Sequence, residues 1–561
     1  MNKLWLKNYQ DGVPPEINPD AYASLGELFN ESCAKYKDLP ALSNLDHVIS
    51  YQQLAEYSRI FSAYLQQVLG ARKGDRIAIM LPNVLQYPIA LFGALQAGLV
   101  IVNVNPLYTV TELVHQLNDA KAETIVVLAN FAHVVQKALP QTCLKNIIVT
   151  ELADLFPWLK SILINSVVKY IRKMVPAWSI PQAIPFKKIM AEGKKLAFEP
   201  VPVAGNDIAF LQYTGGTTGV AKGAILTHRN MIANVEQVIA WVSPVLEERC
   251  EIVITPLPLY HIFSLTANCL SFLRLGALNV LITNPRDISH LVKELAKRPC
   301  SAITGVNTLF NALLNNPDFV KLNFSSLKVA LGGGASVQHS VAERWQQVTG
   351  KALYEGYGLT ETSPVVCITP MNMVNHQGSI GLPVPSTDIS LRDDNNNEVA
   401  IGETGELCVK GPQVMRGYWN NEAEAHKVFT EDGWLKTGDI ARMDENGFVY
   451  LVDRKKDMIL VSGFNVYPNE VEDVIAANPG VLEVAVLGVP DPNSGEAVKA
   501  FIVKKDPQLT ADALIAYCRQ YLTGYKLPRQ IEFRDSLPKS NVGKILRRIL
   551  RDGHNAGGEH N

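Results

Sequence analysis

Apolar residues first fall into a regular pattern at "RIAIML", Arg76–Leu81, which is followed by "LQYPIALFGALQAG" and then "LVIVNV". The outer two are continuous apolar runs of strand length and the middle one repeats at helical spacing, so the unit predicts strand, helix, strand with both strands buried. No charged residue occurs from Ile77 through Thr111, yet Pro82, Asn83, Pro88, Gly98, Asn103 and Pro106 punctuate the stretch. The resulting pieces are shorter than the ~20 residues a membrane span requires. Similar runs recur as "ETIVVLA", "NIIVT", "IAFLQYT", "EIVITPLP", "LNVLITN", "SAITGV" and "LKVALGGG", separated by helical stretches. That alternation predicts an α/β fold in which mostly parallel sheets are covered on both faces.

Beyond about Gly378 the pattern changes to short, polar, glycine-punctuated strands such as "GETGELCVKG" and "GFVYLVDRKK", which predict a small β subdomain. "VLEVAVLGV" and "AVKAFIVKK", flanked by the helical stretches "PNEVEDVIAA" and "ADALIAYCRQYL", predict a small α+β module at the C-terminus. The charge run "DRKKDM", Asp453–Met458, interrupts two apolar runs and marks the boundary. The expected organisation is a large domain over 1–452, a hinge over 453–458 and a small domain over 459–561. The composition of "DGHNAGGEHN" predicts a disordered tail.

One amphipathic stretch stands apart. In "LKSILINSVVKYIRKMV", helical angles put Leu159, Leu163, Ile164, Val167, Val168, Tyr170, Ile171, Met174 and Val175 on one face, with Asn165, Ser166, Lys169, Arg172 and Lys173 opposite. Ile162 falls on the polar side. Between Trp158 and Trp178, such a helix fits an ordinary helix packed on its own domain, the reading Ile162 favours, or a membrane interface with its basic residues toward anionic headgroups.

With 561 residues, the chain exceeds what one core supports, and 47% apolar with 19% charged residues is the balance of a folded protein. A formal net charge of −2 gives no electrostatic reason for nucleic-acid binding. The eight cysteines are scattered without a CxxC pair, and the N-terminus lacks an apolar core of signal-peptide length. Both features predict a cytoplasmic protein with reduced thiols.

The candidate chemistry starts at "YTGGTTGVAKG", Tyr213–Gly223. Gly215, Gly216, Gly219 and Gly223 let backbone amides face an anion, and Thr214, Thr217, Thr218 and Lys222 add donors, an inventory suited to a phosphate chain. The register is not that of a Walker A loop, because Lys222 precedes Gly223 rather than Ser or Thr. In "YEGYGLTETSP", Tyr357 could cover a nucleobase and Glu361 could hold Mg2+, while the same residues also fit a hydrogen-bonded turn. Asp439 in "WLKTGDIA" suits ribose hydroxyls or a cap. Taken singly, Arg454 and Lys544 read as surface residues, and His261 in "PLPLYHIFSL" as a core histidine.

Taken together in chain order, "YTGGTTGVAKG", "YEGYGLTE", "WLKTGDIA", "DRKKDMI", "SGFNVYPNEVE" and "PKSNVGKILRR" resemble the motifs of the AMP-forming acyl-adenylate superfamily, which includes acyl-CoA synthetases, peptide-synthetase adenylation domains and firefly luciferases. The resemblance covers nearly the whole chain. Asp432–Lys456 is similar to the fatty acyl-CoA synthetase signature, narrowing the likeness to bacterial long-chain fatty acid CoA ligases.

The resemblance implies ATP-dependent formation of an acyl-AMP from a long-chain fatty acid and its transfer to coenzyme A, with AMP and pyrophosphate released. It implies ATP binding by Tyr213, Thr214, Gly215, Gly216, Thr217, Thr218, Gly219, Lys222, Gly334, Ala335, Tyr357, Gly358, Thr360, Asp439, Arg454 and Lys544, and Mg2+ at Glu361 and Thr218. Catalysis would fall to Lys544, Thr214, Lys222 and Glu361. His261, Gly332 and Gly334 would border the acyl pocket, Lys456 would be the pivot of a mobile C-terminal lid, and Gly463 would border the CoA tunnel. A homodimer, common among fatty acyl relatives, and peripheral contact with the inner face of the membrane complete the expectations. The alternatives are an acyl-AMP ligase that loads a carrier protein and a catalytically inactive, membrane-associated fatty-acid-binding protein.

Overall fold

The computed structural model describes residues 3–215, 221–373, 378–492, 494–540 and 542–557, with side chains as far as Asp552. Two sheets form the body of the large domain. A seven-stranded sheet runs in the order Ala183–Pro185, Asn146–Thr150, Thr124–Leu128, Arg76–Met80, Val100–Asn103, Ile208–Gly215, Ala221–Thr227. All of its pairings are parallel except the last, where Ile208–Gly215 and Ala221–Thr227 make an antiparallel pair at the edge. A nine-stranded sheet carries the parallel neighbours Ala302–Gly305, Val329–Gly333 and Leu353–Gly358.

The uncharged segment after Arg76 is core as far as Val104, with Pro82 half-buried, and emerges at Leu107. Every residue of the helix Gln86–Gln96 is buried, which is why it needs no polar face. The buried Tyr87 hydroxyl donates to Asn103 Oδ1 and to the Leu259 carbonyl, each at 2.8 Å, so the polar tip is satisfied where the ring packs. Among the described residues no helix is long and apolar enough to cross a membrane.

A four-stranded antiparallel sheet, Asp388–Arg392, Thr404–Lys410, Leu435–Met443 and Val449–Arg454, forms the β subdomain. The small domain follows, with a five-stranded sheet built on the Val481–Asp491 and Gly495–Lys504 pair and flanked by the helices Pro468–Ala476 and Ala511–Cys518. The C-terminal helix runs Arg547–Gly557 and so continues into the segment whose composition predicts disorder. Residues 558–561 lie outside the described residues.

The amphipathic segment is helical, α over Trp158–Ser166 and π over Val167–Ile171, and it seats on its domain through residues of both faces. Asn165 turns inward, accepting the Ala153 amide at 3.0 Å and donating to Glu151 Oε2 at 3.0 Å. Ser161 is buried and accepts from Lys187 Nζ at 3.0 Å. These polar anchors rotate the helix so that Ile162, 56% exposed, and Leu163, 64% exposed, face solvent beside Trp158, Leu159, Tyr170, Ile171 and Met174. The helix therefore packs Ile164 against its own domain and leaves the rest of that apolar side half-buried or exposed.

Candidate active site

The glycine–threonine loop closes the antiparallel pair at the edge of the seven-stranded sheet, with Thr214 directly opposite Lys222. Gly216, Thr217, Thr218 and Gly219, the expected phosphate and Mg2+ contacts at the tip, lie outside the described residues. Alternation along the strand turns Tyr213 away from Thr214. The Tyr213 side chain is buried, with its hydroxyl donated to Asp119 Oδ2 at 2.5 Å, so it anchors the hairpin and offers a nucleotide no free side-chain donor.

Lys222 is not free either. Its ammonium forms an ion pair with Glu424, on the helix Glu422–Val428, and lies 5.7 Å from the centre of the Tyr418 ring. The Tyr418 hydroxyl donates to Glu361 Oε1 at 2.7 Å, and the amide of Met415 donates to the Glu361 carbonyl at 2.7 Å. Tyr418 thus joins the two charged candidates, with Glu361 on the short 3-10 turn Thr360–Thr362. Sequence reasoning did not find Tyr418 and Glu424. An Asn421 cap before two acidic residues signals a helix start, but no local signal pairs Glu424 with a lysine 202 positions earlier.

The nucleoside candidates meet across two sheets. The Tyr357 hydroxyl, at the end of the Leu353–Gly358 strand, donates to Asp439 Oδ2 at 2.7 Å. Asp439 pairs with Arg454 Nε at 3.2 Å, and the two residues face each other in the register of their strands. Burial first, and the Asp439 carboxylate next, push the Tyr357 phenol well above its usual range. Gly332 and Gly333 run parallel to this strand opposite Glu355 and Gly356. The close packing admits no side chain at Gly332, where a Cβ would stand 2.5 Å from Val337 Cγ2. Gly334 is exposed, Ala335 half-buried, and Gly358 and Thr360 half-buried at the same mouth. Beneath this loop Glu355 accepts the Val337 amide at 3.2 Å, and burial pushes its carboxyl up to about 8.

Lys544 reaches this cluster from the small domain. Its turn is closed by Ser540, whose amide donates to the Lys544 carbonyl at 2.7 Å and whose Oγ accepts the Lys544 amide at 3.1 Å. The turn is seated on the large domain by Thr308, whose hydroxyl donates to the Gly543 carbonyl at 2.9 Å. Gly543 has φ +86°, and a Cβ there would approach Thr308 Oγ1 to 2.9 Å, so glycine meets both the backbone and the contact requirement. Desolvation first, then the Arg454 guanidinium, pushes the Lys544 ammonium down to about 8, against the pull of Asp439. Desolvation and then Lys544 push His261 down to about 4, so the imidazole is neutral near pH 7. His261 Nδ1 accepts the Phe263 amide at 3.3 Å at the start of a buried helical segment. Lys544 therefore shares one electrostatic neighbourhood with the Asp439–Arg454 pair and His261.

Two expected positions stand apart from this cluster. Lys456 is exposed in the turn after Arg454. Gly463 lies in the exposed turn between Ile459–Val461 and Phe464–Val466, and an added Cβ meets nothing within 4 Å. In this domain orientation its φ of +85°, not a crowded channel, accounts for glycine.

Residues 29–419 match the AMP-binding enzyme family, and residues 470–544 match the AMP-binding enzyme C-terminal domain, a match that ends on Lys544. The chain belongs to the AMP-binding enzyme family. This AMP-binding enzyme is similar to a long-chain-fatty-acid–CoA ligase of Salmonella typhimurium, 59% identical over 552 residues and 98% of each chain. A ligase of the same name from Haemophilus influenzae is 52% identical over 555 residues, again 98% of each chain. The solved structure of an anthranilate CoA ligase in complex with anthranoyl-AMP matches with a TM-score of 0.84 at 24% identity, covering 96% of this chain and 99% of that one, a likeness of fold.

Proposed function

We propose that this AMP-binding enzyme activates long-chain fatty acids to acyl-CoA through an acyl-AMP, consuming ATP and releasing AMP and pyrophosphate. The observation that carries the reading is Lys544, a cation on a turn of the small domain that Thr308 seats through the Gly543 carbonyl, within electrostatic reach of Asp439, Arg454 and His261. A carboxylate is a poor acceptor for a thiol because its oxygen leaves badly. Attack of that carboxylate on the α-phosphate, with pyrophosphate departing, converts the oxygen into part of a good leaving group. The CoA thiol then displaces AMP.

Nucleophile and phosphates are all anionic, so the residues act chiefly by position and charge. Lys544 bridges the carboxylate and the α-phosphate, where negative charge accumulates. Thr214 and Lys222 hold the outer phosphates, with Lys222 exchanging Glu424 for the anion. Asp439 and Arg454 take the ribose hydroxyls, Tyr357 lies along adenine, and neutral His261 orients the carboxylate at the acyl mouth. The hard oxygens of Glu361, one of which accepts from the neutral Tyr418 hydroxyl, fit Mg2+. When bound, the ion neutralises phosphate charge, and a site completed by phosphate oxygens and water needs no cluster of protein carboxylates. Thr218 is the second proposed ligand.

We further propose that the enzyme works at the inner surface of the membrane, where long fatty acids partition. The support is the outward apolar face around Trp158, Leu159, Ile162 and Leu163, with Lys160, Lys169, Arg172 and Lys173 exposed beside it.

The function is tested by product analysis with ATP, Mg2+ and fatty acids of increasing length, with and without CoA. Multiple turnovers to AMP and acyl-CoA, greatest for long chains and dependent on CoA, are expected. Accumulated acyl-AMP that CoA fails to discharge would replace this reading with carrier loading.

A further inference from the structure

Asp453 is the penultimate residue of the Val449–Arg454 strand, the last strand of the four-stranded sheet, and it is buried. Both of its oxygens are used by the small domain. Oδ2 accepts the Asn469 amide at 2.9 Å, at the start of the helix Pro468–Ala476, and Oδ1 lies 3.4 Å from a guanidinium nitrogen of Arg547. Arg547 stands three residues beyond Lys544 and opens the C-terminal helix. Its other contacts belong to the small domain: Glu472, at 2.7 Å through Oε2 and 3.1 Å through Oε1, and Asn469 Oδ1 at 2.7 Å. On the far side of the exposed Lys456, Asp457 lies 3.8 Å from Arg547 and accepts from Arg551 at 3.1 Å.

The arrangement is asymmetric about the proposed pivot. Asn469, Glu472 and Arg547 would turn together with the small domain, whereas Asp453 would stay with its strand. Rotation would therefore break the two Asp453 contacts at once and leave Arg547 still paired with Glu472. A buried ion pair is costly to open when it strands a charge in the interior. Here the guanidinium keeps a carboxylate partner, and the carboxylate left behind is at a domain surface that rotation exposes to water.

We propose that Asp453 and Arg547 are positioning residues that latch the small domain in the orientation delivering Lys544 for acyl-AMP formation, and that this latch opens before the thioester step. The proposal rests on the two-step ligase reading given above. It assigns to Asp453 no contact with substrate, only the placement of Lys544 through Arg547 and the turn between them.

The test separates the two half-reactions in the full-length enzyme. ATP–pyrophosphate exchange with a long-chain fatty acid and no CoA reads adenylation; supplied acyl-AMP mixed with CoA reads thioester formation. Asp453→Asn keeps size and an acceptor for the Asn469 amide but removes the charge facing Arg547. Exchange is expected to fall about tenfold or more, with thioester formation within about twofold of the parent, and Asp453→Asn added to Lys544→Ala is expected to change exchange by less than about twofold, because groups acting through one another are not additive. Arg547→Lys, which retains the charge without the fork, is expected to fall between Asp453→Asn and the parent in exchange. Equal losses in both half-reactions, unchanged exchange in Asp453→Asn, or multiplying losses in the double variant would each overturn the latch. A parent enzyme that fails either half-reaction would instead overturn the ligase reading itself.

Discussion

Lys222 and Glu424, 202 positions apart, meet as an ion pair beside the ring of Tyr418. The lysine proposed to face phosphate is thus held by a carboxylate in this structure. Glu424→Gln removes that competitor, so the KM for ATP is expected to fall about threefold or more with little change in kcat, the size of a partly exposed ion pair. ATP-dependence of pyrophosphate release checks this, and a raised KM would mean that Glu424 aligns Lys222 rather than competing for it.

Asp439 serves both Tyr357 and Arg454, so Asp439→Asn weakens two charge-assisted contacts together. Hydrogen bonds to charged groups contribute roughly 1.5–3 kcal/mol, which predicts a rise of about 10- to 100-fold in the KM for ATP. Direct nucleotide binding by calorimetry should show the same loss; an unchanged affinity would remove Asp439 from the ribose site.

The lowered Lys544 ammonium sets a pH limit. Adenylation needs the protonated lysine, so kcat/KM for the exchange reaction is expected to hold below about pH 8 and to decline as pH rises through it. The docked state binds fewer protons than the undocked one between about 8 and the ordinary lysine value of 10.5, so docking itself strengthens across that window while charge is lost. Lys544→Arg, charged above pH 12, should lack the limb even if slower. A parental limb near 10 would contradict the desolvation of this lysine in the free enzyme.

Glu355 gives a stability prediction of opposite character. Its folded carboxyl keeps a proton up to about pH 8 that the unfolded chain releases near 4.5, so native stability should decline as pH rises between those values and level off above. Glu355→Gln has no charge to bury and is expected to gain on the parent across the same window. Thermal midpoints of both proteins at pH 5, 7 and 9 measure it, and a constant difference would show that Glu355 is not neutral in the fold.

Trp158→Ser with Leu163→Ser strips the outward apolar face without touching the active site. Each apolar side chain of this size contributes roughly 1.5–3 kcal/mol when buried, so partitioning onto phosphatidylglycerol vesicles should drop about tenfold or more while activity on detergent-dispersed fatty acid is retained. Equal sedimentation of variant and parent with vesicles would exclude this face as the contact.

The alternating apolar runs of the large domain were legible because continuous β-branched strands and helix-spaced stretches are local patterns. The uncharged segment after Arg76 became a buried strand–helix–strand unit for the same reason. The segment around Trp158 was legible as a helix but not in its orientation. A helical wheel assumes that apolar residues turn inward, whereas Asn165 and Ser161 found partners on other segments that sequence spacing does not reveal.

By itself, the sequence determined the order of elements, the glycine-rich hairpin, the charge run Asp453–Met458 and the set of family motifs from Thr214 to Lys544, because each depends on residues near one another in the chain. Only the tertiary structure decided that Tyr357 donates to Asp439, that Tyr418 and Glu424 complete the Glu361 and Lys222 environment, and that Asp453 reaches Arg547 of the C-terminal helix. Those relationships join separate sheets and two domains, and their partners are selected by packing and desolvation at contact, quantities with no signature in local spacing.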